Sequence, residues 1–509
     1  MGLANTCDDT NIMIFSLPTI LEIKKNCDIN LILFYVFVTF LICGLINRAF
    51  SSGGPAWKNG RNKMGQIPIP GPNGLPIFGS LFSLSRGLAH RKLARMASSH
   101  AARRLMAFSL GSTPAVITTD PCIAHEILTS PHFASRPIKE SAKQLMFSRA
   151  IGFAPDGPHW RMLRSVASTH LFAPKRILAH EGARQLECSV MLSAVASEQS
   201  LKGHVQLRKH LQAMSLNMIT EIMFGKRYDV AKLDDKALEL NELVREGFEL
   251  LGAFNWSDHL PWLKYFYDPF RVRERCAALV PRVERLVKKI IKEHRDRDDS
   301  TEKTRDEYDF VYVLLTLYGE EKLDEDGMVA VLWEMIFRGT DTTALLIEWI
   351  MTELILNPKI QANLHKELQT LVPNTSSTEV IVADTDVTRS PYLEAVVKEA
   401  LRRHPPAHDP MIWGNDPFEF RPERFLASVG GAGIDVRGGD LRLAPFGAGR
   451  RVCPGRKLGL ASVSMCVAEL VMKFEWIEDE RKPVDLSEEL KLSCEMKKPL
   501  SAIVIPRVN

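Results

Sequence analysis

The chain has 509 residues, and 65 Lys and Arg against 61 Asp and Glu give a formal net charge of +4. A charge this small and dispersed excludes an extended nucleic-acid surface, and 45% hydrophobic residues exclude widespread disorder. The nine cysteines form no C-x-x-C pair and no closely spaced framework, which excludes a disulfide-stapled domain and indicates a reducing compartment.

The first feature along the chain is an uncharged apolar run at residues 31–46. With its flanks, about 29–47, it reaches the ~17–25 residues that a membrane span needs. The alternatives are a buried core helix and a cleavable signal peptide, although no small-x-small cleavage site follows the run. Because basic residues are more numerous after the run than before it, the positive-inside rule predicts a single-pass anchor with the bulk of the chain in the cytosol.

Alternating prolines follow at residues 67–76 (IPIPGPNGLP). Proline fixes φ and lacks an N–H group, so this segment predicts a stiff, extended spacer. The resulting domain prediction is an N-terminal segment at 1–50, a proline-rich hinge at 51–80 and one large domain at 81–509.

Beyond the hinge, apolar residues recur at spacings of three and four, with few alternating runs, which predicts a mostly helical body. Asn357-Pro358 and Ser390-Pro391 are typical of helix starts, and Pro405-Pro406 ends the second of these helices.

Three patterns on predicted helices contain polar residues that can share one face. Trp160 and Arg164 are four residues apart, residues 338–343 read RGTDTT, and Glu399 and Arg402 are three apart. Taken singly, each pattern is weak, because ordinary core helices and surface ion pairs also contain such residues.

Residues 445–455 (PFGAGRRVCPG) surround one cysteine with glycines, arginines and an aromatic. The glycines permit close backbone approach and leave amide N–H groups for the sulfur of Cys453. Arg450 and Arg451 are expected to favour its thiolate, and Phe446 to pack beside a cofactor. The alternative is a glycine-rich turn that holds a buried structural cysteine.

This segment resembles the haem loop of the cytochrome P-450 superfamily, F-x-x-G-x-R-x-C-x-G. The resemblance implies a mainly α fold with small β-sheets, as a single catalytic domain behind an N-terminal membrane helix. It makes Cys453 the axial ligand of haem b and the protein a monooxygenase. O2, a lipophilic substrate and an NADPH-dependent cytochrome P-450 reductase are the implied partners. The implied cofactor contacts are Trp160, Arg164, Gly339, Phe446, Gly449, Arg451 and Gly455.

The same resemblance assigns proton delivery to Thr342 and Asp341. The family pattern there is Ala-Gly-x-Asp-Thr-Thr, in which the glycine, Gly339 in this chain, lets O2 and the haem approach the helix. Arg338 occupies the position of the usual Ala, as it does in a plant group of these enzymes. Arg424 joins Glu399 and Arg402 in a buried structural cluster.

Residues 87–93, 133–137 and 254–258 are similar to the plant group linked to organ-size control and fatty-acid hydroxylation. The hinge looks like that of microsomal members, which implies the endoplasmic reticulum membrane. The glycosylation sequon at Asn255 then lies in the cytosol.

One region departs from the family, because only 19 residues separate Arg402 from Pro422. The family places four short strands there, so about 30 residues are absent. Those strands supply part of the main sheet, a wall of the substrate pocket and a propionate contact. The alternative function is therefore a catalytically impaired or non-enzymatic haem-thiolate protein, and the alternative origin is a truncated gene model or splice form.

Overall fold

The computed structural model describes residues 29–49, 52–57, 67–85, 87–228, 235–296, 308–372, 382–404, 410–414, 416–431 and 433–507. These residues are mainly helical with three small sheets, which confirms the predicted fold class. The chain separates into two compact units. The smaller unit comprises residues 1–82 and 106–116, and the larger comprises 83–105 and 117–509.

The described helices and strands are numbered here in chain order. The α-helices are Ile29–Ala49 (α1), Leu81–Leu84 (α2), Ala89–Ser99 (α3), Pro121–Thr129 (α4), Glu140–Leu145 (α5), Pro158–His170 (α6), Pro174–Ala179 (α7), Glu181–Lys202 (α8), Leu207–Phe224 (α9), Asp235–Gly252 (α10), Val272–Arg295 (α11), Phe310–Thr316 (α12), Glu325–Leu356 (α13), Pro358–Leu371 (α14), Asp384–Thr388 (α15), Pro391–Arg403 (α16), Pro410–Trp413 (α17) and Arg456–Lys473 (α18). The strands are Met106–Leu110 (β1), Thr113–Ile117 (β2), Val205–Gln206 (β3), Phe474–Glu478 (β4), Glu488–Leu490 (β5), Cys494–Met496 (β6) and Ser501–Pro506 (β7).

In the smaller unit, α1 contains the apolar run. Its 21 residues extend ~31 Å at 1.5 Å each, which matches the ~30 Å hydrocarbon core of a bilayer. The window Asn30–Asn47 has a mean hydropathy of 2.1, and none of it is buried. The alternative of a buried core helix is therefore wrong, and α1 fits a membrane anchor.

The proline-rich segment of the smaller unit is bound to β1. The Ala107 N–H donates to the Pro70 carbonyl at 3.0 Å, and the Trp57 indole donates to the Phe108 carbonyl at 2.9 Å. A Cβ at Gly71 would lie 1.8 Å from the Ala107 carbonyl oxygen, so glycine is required for this close approach. Residues 67–74 form neither helix nor strand and contact β1 at Ala107, and their role as a stiff spacer stays a prediction.

The larger unit has two hydrophobic clusters, and α13 runs through both. Its first half, with Trp333 and Phe337, packs in the cluster with α5, α6, α10 and α11. Its second half, with Ile350 and Leu354, packs in the cluster with α8, α14, α16 and α18. Because α13 is buried on nearly all sides, its polar residues are held at fixed positions.

The predicted helix starts before α14 and α16 are present. Ser390 caps α16, with its hydroxyl oxygen accepting from the Leu393 N–H at 3.3 Å. The helix ends at Arg403, and the junction at residues 405–409, where the family strands are expected, lies outside the described residues.

The sheets of the larger unit are antiparallel. β7 pairs with β3 and β4, with Trp476 opposite Val504. β5 and β6 form a hairpin that pairs Glu488 with Met496 and Leu490 with Cys494.

Candidate active site

The cysteine loop lies directly before α18. The Cys453 N–H donates to the Phe446 carbonyl at 2.9 Å, which closes the loop. Gly449 has φ +62°, and a Cβ there would lie 2.3 Å from the Leu128 carbonyl oxygen, so two structural constraints require glycine. Phe446 packs against the core cluster that contains α18, and Gly455 approaches the ring of Phe172.

Cys453 is partly exposed, and burial raises the pKa of its thiol above the usual value. The Gly455 N–H and the charges of Arg338 and Arg164 act in the opposite direction, as does Arg456. The largest favourable charges are thus those of Arg338 and Arg164 from distant segments and of Arg456 from α18, and the contribution of Arg450 and Arg451 stays a prediction. A coordinated cation lowers a thiol pKa far more than these charges do, so a metal would bind Cys453 as the thiolate.

Arg164 and Arg451 tie the cysteine loop to α6 and to the segment before it. Arg164 Nη1 donates to the Val452 carbonyl at 2.7 Å, next to Cys453. Arg451 donates to the carbonyls of Ala134 and Ala154, each at 2.8 Å. These contacts join residues about 300 positions apart in the sequence.

Trp160 is buried beneath the same arginines. Its indole N–H donates to the Ile151 carbonyl at 3.0 Å, and the Arg451 guanidinium lies 4.0 Å from its ring centroid. Arg164 lies 5.8 Å from that centroid. The structure thus brings Trp160, Arg164 and Arg451 together, with the indole N–H directed at a backbone carbonyl.

Thr342 and Asp341 lie on consecutive positions of α13. The exposed Thr342 hydroxyl donates to the Arg338 carbonyl at 2.8 Å, which is the backbone hydrogen bond that the sequence predicts. Asp341 Oδ1 accepts from Gln212 of α9 at 3.2 Å, and burial raises the pKa of Asp341 to about 6. A carboxyl with this pKa exchanges its proton near neutral pH.

Gly339 of α13 faces α9. A Cβ at this position would lie 2.8 Å from Cδ1 and Cγ1 of Ile219, so a larger residue would require the Ile219 side chain or the helix that carries it to move. Close helix packing thus accounts for this glycine, and its contact with the cofactor stays a prediction.

Arg338, the departure from the family pattern, pairs with buried Glu334 one turn earlier at 3.1 Å. Glu334 also accepts from the Gly152 N–H at 2.7 Å, and the Arg338 guanidinium lies 5.1 Å from the Phe153 ring centroid. Burial and the nearby charge of Arg338 lower the pKa of Arg136, although Glu334 opposes the effect.

The surroundings of Cys453 therefore suit a dianionic, thiolate-ligated group. Guanidiniums of Arg136, Arg164, Arg338 and Arg451 interact within this region, where burial and mutual repulsion lower the pKa of Arg451. Among the described residues, two carboxylates act on these guanidiniums: Glu334, which pairs with Arg338, and Asp156, which raises the pKa of Arg451. The two propionates of haem b would balance this excess positive charge, and Cys453 would ligate its iron.

Glu399, Arg402 and Arg424 are in contact. Glu399 accepts from Arg402 Nε at 2.7 Å and from Nη2 at 2.9 Å, with both side chains fully buried. Arg424 Nε lies 3.4 Å from Glu399 Oε1, and the Arg421 N–H donates to the same oxygen at 2.9 Å. Arg402 also donates to the Pro417 carbonyl at 2.8 Å, so the cluster fastens α16 to the segment that follows it.

Sequence reasoning missed three residues of this region as site residues: Gln212, Glu334 and Arg136. Arg136 lies in the noted 133–137 motif, so its charge was a usable signal. Gln212 and Glu334 carry no local signal, because their roles depend on helix contacts between distant segments.

Comparison with known proteins identifies the family. The family Cytochrome P450 matches residues 69–408 and 407–503. The chain is 55% identical to Cytochrome P450 78A7 of Arabidopsis thaliana over 540 residues, covering 99% of each chain. It is 51% identical to Cytochrome P450 78A11 of Oryza sativa subsp. japonica over 548 residues, covering 99% of this chain and 98% of the relative. It is 48% identical to Cytochrome P450 78A1 of Zea mays over 545 residues, with the same coverage.

The comparisons also locate a deletion. The family match divides at residues 407 and 408, within the junction between Arg402 and Pro422. The 540-residue alignment is longer than the 509-residue chain, so at least 31 aligned positions have no residue here. The Cys453 loop lies outside the deletion and is intact. This chain is therefore a haem b-dependent monooxygenase of the cytochrome P450 family, similar to plant members.

Proposed function

We propose that the chain inserts one atom of O2 into a medium-chain fatty acid or a similar lipophile, with electrons that an NADPH-dependent cytochrome P-450 reductase delivers. The observation that carries the proposal is the Cys453 loop, held by Arg164 and Arg451 within a group of four guanidiniums and two carboxylates. Haem b bound through Cys453 supplies the oxygen chemistry. Trp160, Arg164, Phe446, Gly449, Arg451 and Gly455 form its immediate surroundings in this proposal.

Thr342 and Asp341 are proposed to deliver protons to the reaction. The Thr342 hydroxyl is exposed, and its proton is directed at the Arg338 carbonyl, which leaves the oxygen lone pairs able to accept. Asp341, with a pKa of about 6, can donate a proton and recover it from solvent near neutral pH. Gln212 holds the carboxylate of Asp341 from the neighbouring helix.

The proposed location is the endoplasmic reticulum membrane, with residues 81–509 as the cytosolic catalytic domain, 51–80 as the hinge and 1–50 as the anchor segment. Helix α1 supports the anchor by its length and apolar composition. Exposed aromatic side chains in the larger unit support contact with an apolar phase: Trp262, Tyr265, Phe266, Tyr267 and Phe270.

The deletion supports a second candidate function, a haem-thiolate protein with impaired catalysis. The cluster of Glu399, Arg402 and Arg424 assembles, so the helical core does not need the absent strands. A groove of about 470 Å³ is lined in part by Glu353, Arg403 and Phe418, of which Arg403 precedes and Phe418 follows the junction in the sequence. Without the strands the pocket lacks a wall, and water entry should divert oxygen reduction away from the substrate.

Expression of two forms separates these functions. One form has the sequence as it stands, and the other has the absent segment restored from the 78A7 relative. We expect the restored form to hydroxylate a medium-chain fatty acid and the original to give little product, measured by product formation per NADPH consumed with a reductase present. Equal turnover would show that the deletion is tolerated. A restored form that binds haem yet oxygenates none of a panel of lipophiles would refute the proposed substrate class.

A further inference from the structure

We propose that His90, Glu488 and Cys494 form a binding site for a zinc-type divalent cation, separate from the cysteine loop. Each residue offers one ligand atom, and the three atoms lie within 4.8 Å of one another. All three residues belong to the larger unit and lie far in sequence from the deletion.

Two structural elements bring these ligands together. His90 is in the first turn of α3, while Glu488 and Cys494 begin strands β5 and β6. The register pairs Glu488 with Met496 and Leu490 with Cys494, so Glu488 and Cys494 point to the same face of the hairpin. That face meets α3.

The ligand atoms have unused lone pairs. His90 Nε2 is buried and has no hydrogen-bond partner among the described residues. Glu488 Oε2 lies 4.0 Å from it, on a side chain that is 3% exposed. Arg91 Nη2 approaches Oε2 to 2.8 Å as an ion pair, but its N–H groups are not directed at the oxygen, so that contact is not a hydrogen bond. With its proton on Nδ1, the neutral His90 imidazole directs the Nε2 lone pair toward Glu488 Oε2, and a cation between these two atoms would give both the partner that they lack.

The geometry and the donor set suit zinc. Zinc binds His nitrogen at ~2.0–2.1 Å, carboxylate oxygen at ~2.0–2.2 Å and Cys sulfur at ~2.3 Å. Tetrahedral zinc with these bond lengths places its nitrogen and oxygen ligands about 3.3 Å apart, so His90 Nε2 and Glu488 Oε2, which are 4.0 Å apart in this structure, would approach each other by about 0.7 Å on binding. Calcium and magnesium prefer all-oxygen sites, so a mixed nitrogen, oxygen and sulfur set disfavours them.

Binding requires the thiolate of Cys494. Burial raises the pKa of this thiol to about 12, with Glu488 and Glu495 adding to the effect and Arg91 opposing it. Burial also lowers the pKa of His90, which keeps its imidazole neutral and able to ligate. The cation therefore replaces one proton: the S–H bond breaks, a sulfur–metal bond forms, and the proton leaves to solvent.

Zinc at this site would fasten the β5–β6 hairpin to α3. The same hairpin carries Lys491 and Glu495, whose charges act on the pKa of Asp341. The site would thus stabilise a charged surface near the proposed proton donor, with a water molecule in the fourth position of the zinc.

Zinc content tests the proposal directly. Untagged, haem-loaded protein is equilibrated with zinc chloride, passed through a desalting column and analysed for zinc. The wild type should retain about one zinc per chain, and Cys494→Ser should retain none. Cys122→Ser, which changes an exposed thiol elsewhere in the larger unit, is the matched control and should retain the metal. With cobalt in place of zinc, a thiolate-to-cobalt charge-transfer band should be present in the wild type and absent in Cys494→Ser.

A second variant keeps the test decisive if Cys494→Ser does not fold. His90→Ala changes a partly exposed side chain on the other element, and it should also lose zinc while its far-ultraviolet circular dichroism stays that of the wild type. Equal zinc in the wild type and in a folded His90→Ala or Cys494→Ser protein, or no retained zinc in the wild type, would overturn the proposal. Each result is independent of hydroxylase activity.

Discussion

Replacement of Glu399 by glutamine tests how far the fold depends on its buried cluster. Glu399 holds both nitrogens of the Arg402 fork, the Arg421 N–H and, at 3.4 Å, the side chain of Arg424. Glutamine has the same shape, but it removes the negative charge and turns an N–H2 group toward donors. Two buried guanidiniums then lose their shared counter-charge.

The expected loss is large. Removing one partner of a buried ion pair costs about 3–5 kcal/mol, because the remaining charge stays buried without compensation. At ~2.1 cal/mol/K of unfolding entropy per residue, a unit of roughly 400 residues loses about 4–6 °C in Tm. Thermal scans that follow the Soret absorbance and the circular dichroism of Glu399→Gln measure this shift.

The matched control is Glu274→Gln. Glu274 and Arg271 also form a Glu–Arg pair three residues apart, but their side chains are 64% and 70% exposed. Water screens such a pair, so no resolvable change in Tm is expected. Equal shifts for the two variants would refute the reasoning that burial gives the Glu399 cluster its importance.

The remaining predictions concern the site and the membrane. Cys453→Ala should abolish the red-shifted Soret band of the reduced, CO-bound protein, whereas Cys122→Ser should keep it. Thr342→Ala, in the form with the segment restored, should still consume NADPH but release hydrogen peroxide; an unchanged ratio of product to NADPH would argue against proton delivery. Burial raises the pKa of Asp341 from 3.8 to about 6. Between pH 3.8 and about 6 the native state therefore keeps a proton that the unfolded state has released, and the free energy of unfolding of the wild type falls as pH rises through this window. Asp341→Asn should therefore be more stable than the wild type by on the order of 3 kcal/mol above pH ~6, and denaturant titrations should show the difference vanish below pH ~4. Protease added to sealed microsomes should digest the catalytic body, and Asn255 should remain unglycosylated; full protection would contradict the proposed topology.

Features that depend on a few neighbouring residues could be read from the sequence. The apolar run forms α1, the prolines at 358 and 391 begin α14 and α16, and the pattern around Cys453 identified the family before any comparison. Each of these follows from backbone restrictions, from periodicity within one or two helical turns, or from a short motif. Even the deletion was visible, because it shortens a spacing between two motifs.

Only the tertiary structure decided which distant groups act on one another. Arg338 and Arg164, from distant segments, supply the largest favourable charges at the Cys453 thiol, and Gly339 is explained by Ile219 of another helix. His90 likewise lies close to Glu488 and Cys494, although these segments are about 400 residues apart in the sequence. Local sequence spacing does not predict such contacts, because burial and electrostatic interaction depend on which surfaces helix packing brings within a few ångströms of one another.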